Sequence, residues 1–264
     1  MRIAAILAAL LLTGVAAPVV AQQAPDPIPI EEWSLEKVSA MGEAIYRHDV
    51  AAWVATDALI AHLAGSPPPP GTSGWIVVDE GETQRVRFVR QVDGMLSSAF
   101  DIIVRDGRAG DVKPVDIPLS DAEKAGFHAR QTAISNIGRL RCSQQLNTVV
   151  LDDPDSDGWL VWLLTSTTDA NIVPMGGHYR FRISADGSTV LRRDMLSNSC
   201  LNMPRAQPGD GGGPVGPVVS QIVSQGPVET HVFLSLQNGM PIYVVAGDDH
   251  IFEVNGPLIG KVEP

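Results

Sequence analysis

The two cysteines of the chain enclose the stretch that decides its fold, residues 142–200, which reads CSQQLNTVVLDDPDSDGWLVWLLTSTTDANIVPMGGHYRFRISADGSTVLRRDMLSNSC. Short runs of β-branched, aromatic and other apolar residues alternate here with turns rich in Asp and Gly, a pattern typical of antiparallel strands. It predicts four strands, at 147–151, 159–165, 178–183 and 190–195. The last two form the clearest hairpin, because Asp186-Gly187 supplies a tight turn between them.

The cysteines themselves, Cys142 and Cys200, are predicted to form a disulfide. Their number is even, and the N-terminal segment predicts export to an oxidising compartment, where such bonds form and persist. The alternative is a nucleophilic thiol with His178 or His231 as its base. The disulfide is the favoured interpretation.

The N-terminal segment predicts export because it has the three parts of a signal peptide. Arg2 supplies positive charge, 3–12 is an uninterrupted apolar run, and Pro18 precedes the small residue Ala21, after which we expect cleavage. An uncleaved anchor is the alternative, but the run is much shorter than the ~20 residues that a spanning helix needs. The predicted organisation is a signal peptide at 1–21, a Pro-rich lead at 22–33 and a single α+β domain at 34–264. We expect a periplasmic or secreted protein.

Helices and further strands are predicted on both sides of the central stretch. Apolar residues recur near a 3.6-residue period over 34–63, with a break into two shorter helices at His48-Asp49 and with His48 and His62 on the surface. A second helix begins with a capping box formed by Ser120 and Glu123. The remaining predicted elements are strands at 75–79, 85–91, 99–105, 218–223, 230–236, 242–245 and 250–254, and a Pro/Gly-rich loop at 204–217.

These elements predict the α+β class: mostly antiparallel sheet, an N-terminal helical segment, one further helix and one disulfide. We expect the four C-terminal strands to join the same sheet system as the central four, because four short strands bury little area alone. Asn238-Gly239 predicts a hairpin turn between two of them.

The charge of the chain limits its partners. Its formal net charge is −11 at pH 7, from 30 acidic and 19 basic side chains. Such a charge argues against nucleic acid and against anionic membrane surfaces. No segment after the signal peptide reaches spanning length, so we expect no transmembrane segment in the mature form. The charge identifies no ligand, and we expect the partner to be an unknown protein or a small anionic ligand.

Four arginines are the candidate ligand-binding residues. Arg85 and Arg87 share one face of a predicted strand, and Arg180 and Arg182 share one face of another. If these strands are neighbours, their guanidinium groups form a patch that binds carboxylate or phosphate bidentately. The alternative is the solvated face of an antiparallel sheet.

Three aspartates resemble the opening of a calcium loop. Asp153, Asp155 and Asp157, followed by Gly158, place alternate carboxylates where such a loop holds its ion. The twelfth position is Leu164, however, where a bidentate Glu belongs. An exposed hairpin turn is the favoured interpretation, and we predict neither a metal nor a cofactor.

Three segments of the C-terminal half, at 178–187, 197–200 and 227–234, resemble segments of exported proteins of Gram-negative bacteria. The resemblance implies export and implies no particular activity.

Two functional hypotheses follow from the sequence. The first is a non-enzymatic envelope protein that binds a partner or ligand through a sheet face. The second is a hydrolase or metal-dependent enzyme whose site is assembled from distant residues such as His178, His231 and Asp249. We prefer the first because no catalytic motif is visible. A deep pocket in which those residues converge would favour the second.

Overall fold

Residues 28–205 and 216–262 are described by the computed structural model. The predicted signal peptide and residues 206–215 of the predicted Pro/Gly-rich loop lie outside this range. Three helices are present in the described residues: α1 (Leu35–Leu63), α2 (Asp121–Ser135) and α3 (Glu229–Asn238). The strands are β1 (Thr72–Glu80), β2 (Thr83–Val92), β3 (Met95–Arg105), β4 (Arg108–Ala109), β5 (Lys113–Pro118), β6 (Leu146–Asp152), β7 (Trp159–Thr165), β8 (Ile172–Pro174), β9 (Tyr179–Ile183), β10 (Val190–Met195), β11 (Asn202–Pro204), β12 (Val218–Gln221), β13 (Ile242–Ala246), β14 (His250–Asn255) and β15 (Leu258–Lys261).

The strands form four sheets. The first has the order β1-β2-β3-β4, with β5 paired to β3; the second has the order β10-β9-β7-β6; the third is the pair β11-β8; and the fourth has the order β12-β13-β14-β15. Neighbouring strands are antiparallel except β12 and β13, which are parallel and are connected through α3. The predicted α+β class, with mostly antiparallel sheets and an N-terminal helix, is therefore confirmed.

Helix α1 is continuous over 29 residues, so the predicted break at His48-Asp49 is wrong. Both polar side chains make contacts across the fold: the His48 ring bonds to Asp79, and Asp49 accepts from Asn147. His48 is consequently buried, contrary to the surface position predicted for it, whereas His62 is exposed as predicted. His48 is a polar residue on the buried face of the helix, and this interruption of the apolar pattern was wrongly interpreted as a helix boundary.

The two halves of α1 pack in different cores. Val38 and Ile45 contact a core shared by the second and fourth sheets, which includes Trp162 and Val244. Ala51, Ala55 and Leu59 pack on the first sheet. One helix therefore connects three of the four sheets.

Helix α3 occupies the segment for which a strand was predicted at 230–236. Residues 229–235 are all buried, polar and apolar alike, so the order of polar and apolar residues does not follow exposed and buried faces of a helix. Gly239, predicted to form a hairpin turn with Asn238, instead ends the helix in the left-handed conformation (φ 61°). The C-terminal strands form a sheet of their own instead of joining the central four, because α3 lies in the core between the two sheets.

Helix α2 begins as predicted. The Ser120 hydroxyl accepts from the Glu123 N–H (3.2 Å), and the Glu123 carboxylate accepts from the Ser120 N–H (2.8 Å). Ala129 and Ala133 pack on the second sheet, and Phe127 packs on the first. The small residues thus let one helix lie between two sheets.

The predicted disulfide between Cys142 and Cys200 is present, with a Cα–Cα distance of 5.4 Å. It joins the segment after α2 to the segment after β10. Both cysteines of the chain are used, which excludes a nucleophilic thiol in this oxidised form. Among the described helices, none combines the length and the apolar character needed to cross a membrane.

Candidate functional site: a cleft between two sheet edges

The candidate site includes a cavity that lies between the edge strands of two sheets. β1 is at the edge of the first sheet and β6 at the edge of the second. Between them is a cavity of about 250 Å³, which we call the seam cleft. It is lined by 75–79 of β1, 148–152 of β6, four residues of α2 (Ala122, Glu123, Gly126 and Arg130), His48 and Trp159. Backbone groups of an edge strand are free to bond to another molecule.

Arg130 is the positively charged group of the cleft that lacks a counter-charge. Its Nε donates to the Thr148 hydroxyl (2.7 Å), and its guanidinium lies 5.0 Å from the centroid of the Trp75 ring. Within the described part of the chain it forms no ion pair with a carboxylate. Burial lowers the pKa of Arg130 from its ordinary value, but a guanidinium stays charged in proteins.

Two glycines shape the cleft around these side chains. Gly74 sits at a bulge in β1 with φ 150°, and a Cβ there would lie 2.7 Å from Arg130 Nη1. On α2, a Cβ at Gly126 would lie 3.2 Å from the Trp159 ring. Any larger residue at Gly74 would be strained and would displace the guanidinium.

Of the three acidic side chains that line the cleft, Asp79 and Glu123 are engaged within the protein, whereas Asp152 is exposed. The His48 ring lies 2.9 Å from Asp79, and this hydrogen bond is the largest cause of the lowered pKa of Asp79. Glu123 accepts from Arg87 (3.0 Å) as well as capping α2. His48 Nδ1 is buried and has no hydrogen-bond partner in the described residues. Beside the exposed Asp152 carboxylate, the cleft therefore offers an incoming ligand the Arg130 guanidinium and aromatic surface.

A second cavity, of about 520 Å³, borders α1, and we call it the α1 cavity. Trp75 lines both cavities. The carboxylate of Asp49 accepts from Asn147 Nδ2 (3.1 Å) and from Gln237 Nε2 (3.4 Å). Burial raises the pKa of Asp49 to about 6. Tyr46 and Trp53 of α1 also line this cavity.

The candidate arginines do not form one patch. β2 and β9 belong to different sheets, so the condition for a joint patch is not met. On β2, Arg85 pairs with Glu80 (2.8 Å), while Arg87 is buried and pairs with Asp101 (3.1 Å) and Glu123 (3.0 Å). These guanidinium groups neutralise the protein's own carboxylates.

The arginines of β9 are also paired internally. Arg180 is buried between Asp194 (2.7 Å) and Glu229 (3.3 Å). Arg182 pairs with three carboxylates, those of Glu31, Asp153 and Asp155. Ligand binding by the four arginines stays a prediction, for which these contacts leave little free hydrogen-bonding capacity.

The three aspartates of the calcium-like turn point to different partners. Asp153 is buried and accepts from Arg182, from the Ser156 hydroxyl (2.8 Å) and from the Asp155 N–H (3.1 Å). Asp155 pairs with Lys37, and Asp157 is exposed. In the described ranges, no group of three or more His, Cys, Asp or Glu side chains is placed to hold a metal ion.

The histidines of the enzyme hypothesis are buried, and Asp249 is exposed in the turn between β13 and β14. His178 Nδ1 accepts from the Thr165 N–H (3.0 Å) and its Nε2 lies 3.1 Å from the Pro174 carbonyl, so the neutral ring is bonded on both sides. Burial lowers the pKa of His178 to about 4 and of His231 to about 3. Neither ring lines the seam cleft or the α1 cavity.

The residues that characterise the site, Arg130, Asp49 and Trp75, were not predicted as site residues from the sequence, in which Asp49 was interpreted as part of a helix break. A signal was nevertheless present. Arg130 lies three residues after Phe127 and four after Gly126, so it falls on the buried face of α2. Asp49 follows Ile45 by four residues on α1 in the same way. A charged residue at a position that continues the apolar face of a helix is therefore the sequence pattern that could have indicated these two site residues.

Comparison of the chain with protein-family models, with curated proteins and with solved structures found no match.

Proposed function

We propose that the protein is an exported, non-enzymatic binding module of the cell envelope. Its ligand is a small molecule that carries a carboxylate, held in the seam cleft by Arg130. Export is supported by the signal-peptide pattern of 1–21 and by the disulfide.

The observation that carries the proposal is the state of Arg130. Most guanidinium groups in the interior of this protein face carboxylates, as those of Arg87 and Arg180 do. Arg130 instead has a neutral hydroxyl at Nε and an aromatic ring beside it. Its remaining N–H groups match the two oxygens of a carboxylate, which a planar guanidinium binds bidentately.

The surroundings of Arg130 suit a ligand that also has an apolar part. Trp75, Trp159 and Val77 line the cleft, and aromatic side chains contribute most of the apolar contact area in ligand sites. The hydroxyl of Thr148, which also lines the cleft, already accepts a hydrogen bond from Arg130. The lining therefore supplies recognition groups, and its arrangement supports binding more than bond cleavage.

The test is a titration with benzoate, a small aromatic carboxylate, followed by tryptophan fluorescence and by calorimetry. We expect saturable binding of benzoate and at least about tenfold weaker binding of benzamide, which has the same shape without the charge; tenfold corresponds to ~1.4 kcal/mol. Arg130→Gln should abolish that preference, whereas Arg139→Gln, at an exposed arginine outside the cleft, should preserve it. Equal binding of the two probes, or an unchanged preference in Arg130→Gln, would refute the proposal.

A further inference from the structure

We propose that the α1 cavity is a second binding site, which takes an organic cation, a quaternary ammonium or protonated amine, against the carboxylate of Asp49. The inference does not depend on the function proposed for the seam cleft, because a different helix and a different charged group carry it.

The first observation is that Asp49 has no cation of its own. Both its carboxylate oxygens accept from neutral amides, one on Asn147 of β6 and one on Gln237 of α3. No ion pair to Asp49 is found in the portions of the chain that the structure describes. A carboxylate shielded from much of its water normally has a charged partner, and the half-buried Asp49 instead lines a cavity.

The second observation is the aromatic lining. Tyr46, Trp53 and Trp75 line the cavity, and Trp53 is 62% exposed although it is a large apolar side chain. The negative face of an aromatic ring attracts a cation, and sites made of several rings recognise quaternary ammonium groups. A carboxylate combined with such rings selects for positive charge.

The other charged groups of the cavity do not cancel Asp49. Asp169 and Arg205 complete the charged lining. The Arg205 guanidinium donates to the Ala170 carbonyl (3.0 Å), and Asp169 accepts from the Asn171 N–H (2.9 Å). Arg205 is therefore not among the partners described for Asp49, whose carboxylate stays available to a cation.

The ionisation of Asp49 supplies an internal control. Its pKa is raised to about 6 by burial. A cation binds the carboxylate form, so lowering the pH from 8 to 5 should protonate Asp49 and weaken binding about tenfold. A neutral ligand held by the same rings would not respond in this direction.

The experiment is a calorimetric titration of the purified mature protein with choline chloride at pH 8. We expect saturable binding and about tenfold weaker binding at pH 5. Asp49→Asn should reduce the affinity at pH 8 by a similar factor and should remove the pH response. Asp57→Asn, at an exposed position of the same helix outside the cavity, should leave both unchanged.

Two further measurements separate the interpretations. The probe 3,3-dimethyl-1-butanol has the shape of choline without its charge, and it should bind at least about tenfold more weakly. Choline is a cation and benzoate an anion, so separate titrations of the unmodified protein with the two probes make failure of this site and failure of the seam cleft distinguishable. Absence of saturable heat up to about 10 mM choline, equal binding of the neutral analogue, or a pH response that survives in Asp49→Asn would overturn the proposal.

Discussion

Removal of the buried guanidinium of Arg180 should be strongly destabilising. Arg180 and Glu229 are 2% and 0% exposed at their side chains, and each Glu229 oxygen lies 3.3 Å from Arg180 Nη1. Arg180 Nη2 also donates to Asp194 (2.7 Å), and the Trp162 indole donates to Glu229 (2.8 Å). Arg180→Met keeps much of the volume and leaves two buried carboxylates without this cation.

The expected cost is about 3–5 kcal/mol, because the loss of one partner of a buried ion pair leaves an uncompensated charge. For a domain of this size each kcal/mol shifts the melting temperature by roughly 2–4 °C, so the midpoint should fall by about 6–20 °C. The double variant Arg180→Met/Glu229→Leu removes one of the stranded carboxylates as well. It should therefore be more stable than Arg180→Met alone.

The assay is urea unfolding followed by circular dichroism at pH 7, with thermal melts of the same samples. Arg85→Met is the matched control, because Arg85 pairs with Glu80 at a partly exposed position where an ion pair contributes about 0–1 kcal/mol. A cost below about 1 kcal/mol for Arg180→Met would refute the reasoning. So would a double variant less stable than the single one.

Three more predictions concern the disulfide, pH and calcium. Replacing Cys142 and Cys200 with Ser opens a loop whose ends are 58 residues apart, and should lower the free energy of unfolding by up to about 4 kcal/mol without preventing folding; an unchanged melting midpoint would contradict this. The folded-state pKa values of about 4 for His178 and about 3 for His231 lie below the ordinary 6.5, so the unfolded chain gains protons first as the pH falls. Stability should drop from pH 6.5 to 4.5 by about 2–3 kcal/mol for each ring, and a flat urea midpoint over that range would count against it. Calorimetry should find no calcium binding tighter than about millimolar; micromolar affinity lost in Asp155→Ala would show the turn interpretation to be wrong.

The sequence predicted best those elements whose signal is local. The capping box of Ser120 and Glu123 and the Asp186-Gly187 turn depend on neighbours a few residues apart, and the structure contains both. Export chemistry and the cysteine count predicted the disulfide. The capping box and the turn are determined by residues close together in the sequence, and the disulfide follows because two cysteines can pair in only one way.

The sequence failed where tertiary burial overrides the local pattern. Segment 229–235 is buried on every side, so it carries no period that separates a helix from a strand. The candidate arginines were chosen because they share strand faces, but the sequence cannot show which carboxylates the fold brings to them. Arg180 finds Glu229 across 49 residues and Arg182 finds Glu31 across 151. Arg130 was missed for the same reason: it is distinguished by having no carboxylate partner among the described residues, which the sequence cannot show.

Arg130 and Asp49 lie on opposite sides of strand β6, and this separation favours a ligand at each of the two cavities. Arg130 bonds to Thr148 and Asp49 bonds to Asn147, and these neighbours on β6 point to opposite faces of the strand. The fold thus holds a cation on the α2 side and an anion on the α1 side, each bonded to neutral side chains. Pairing these half-buried charges with each other, or replacing them with apolar groups, would favour stability. Local arrangements that lower stability without compensation are expected at functional sites. Each unpaired charge also faces a cavity with aromatic lining, where a ligand of opposite charge would supply the missing partner.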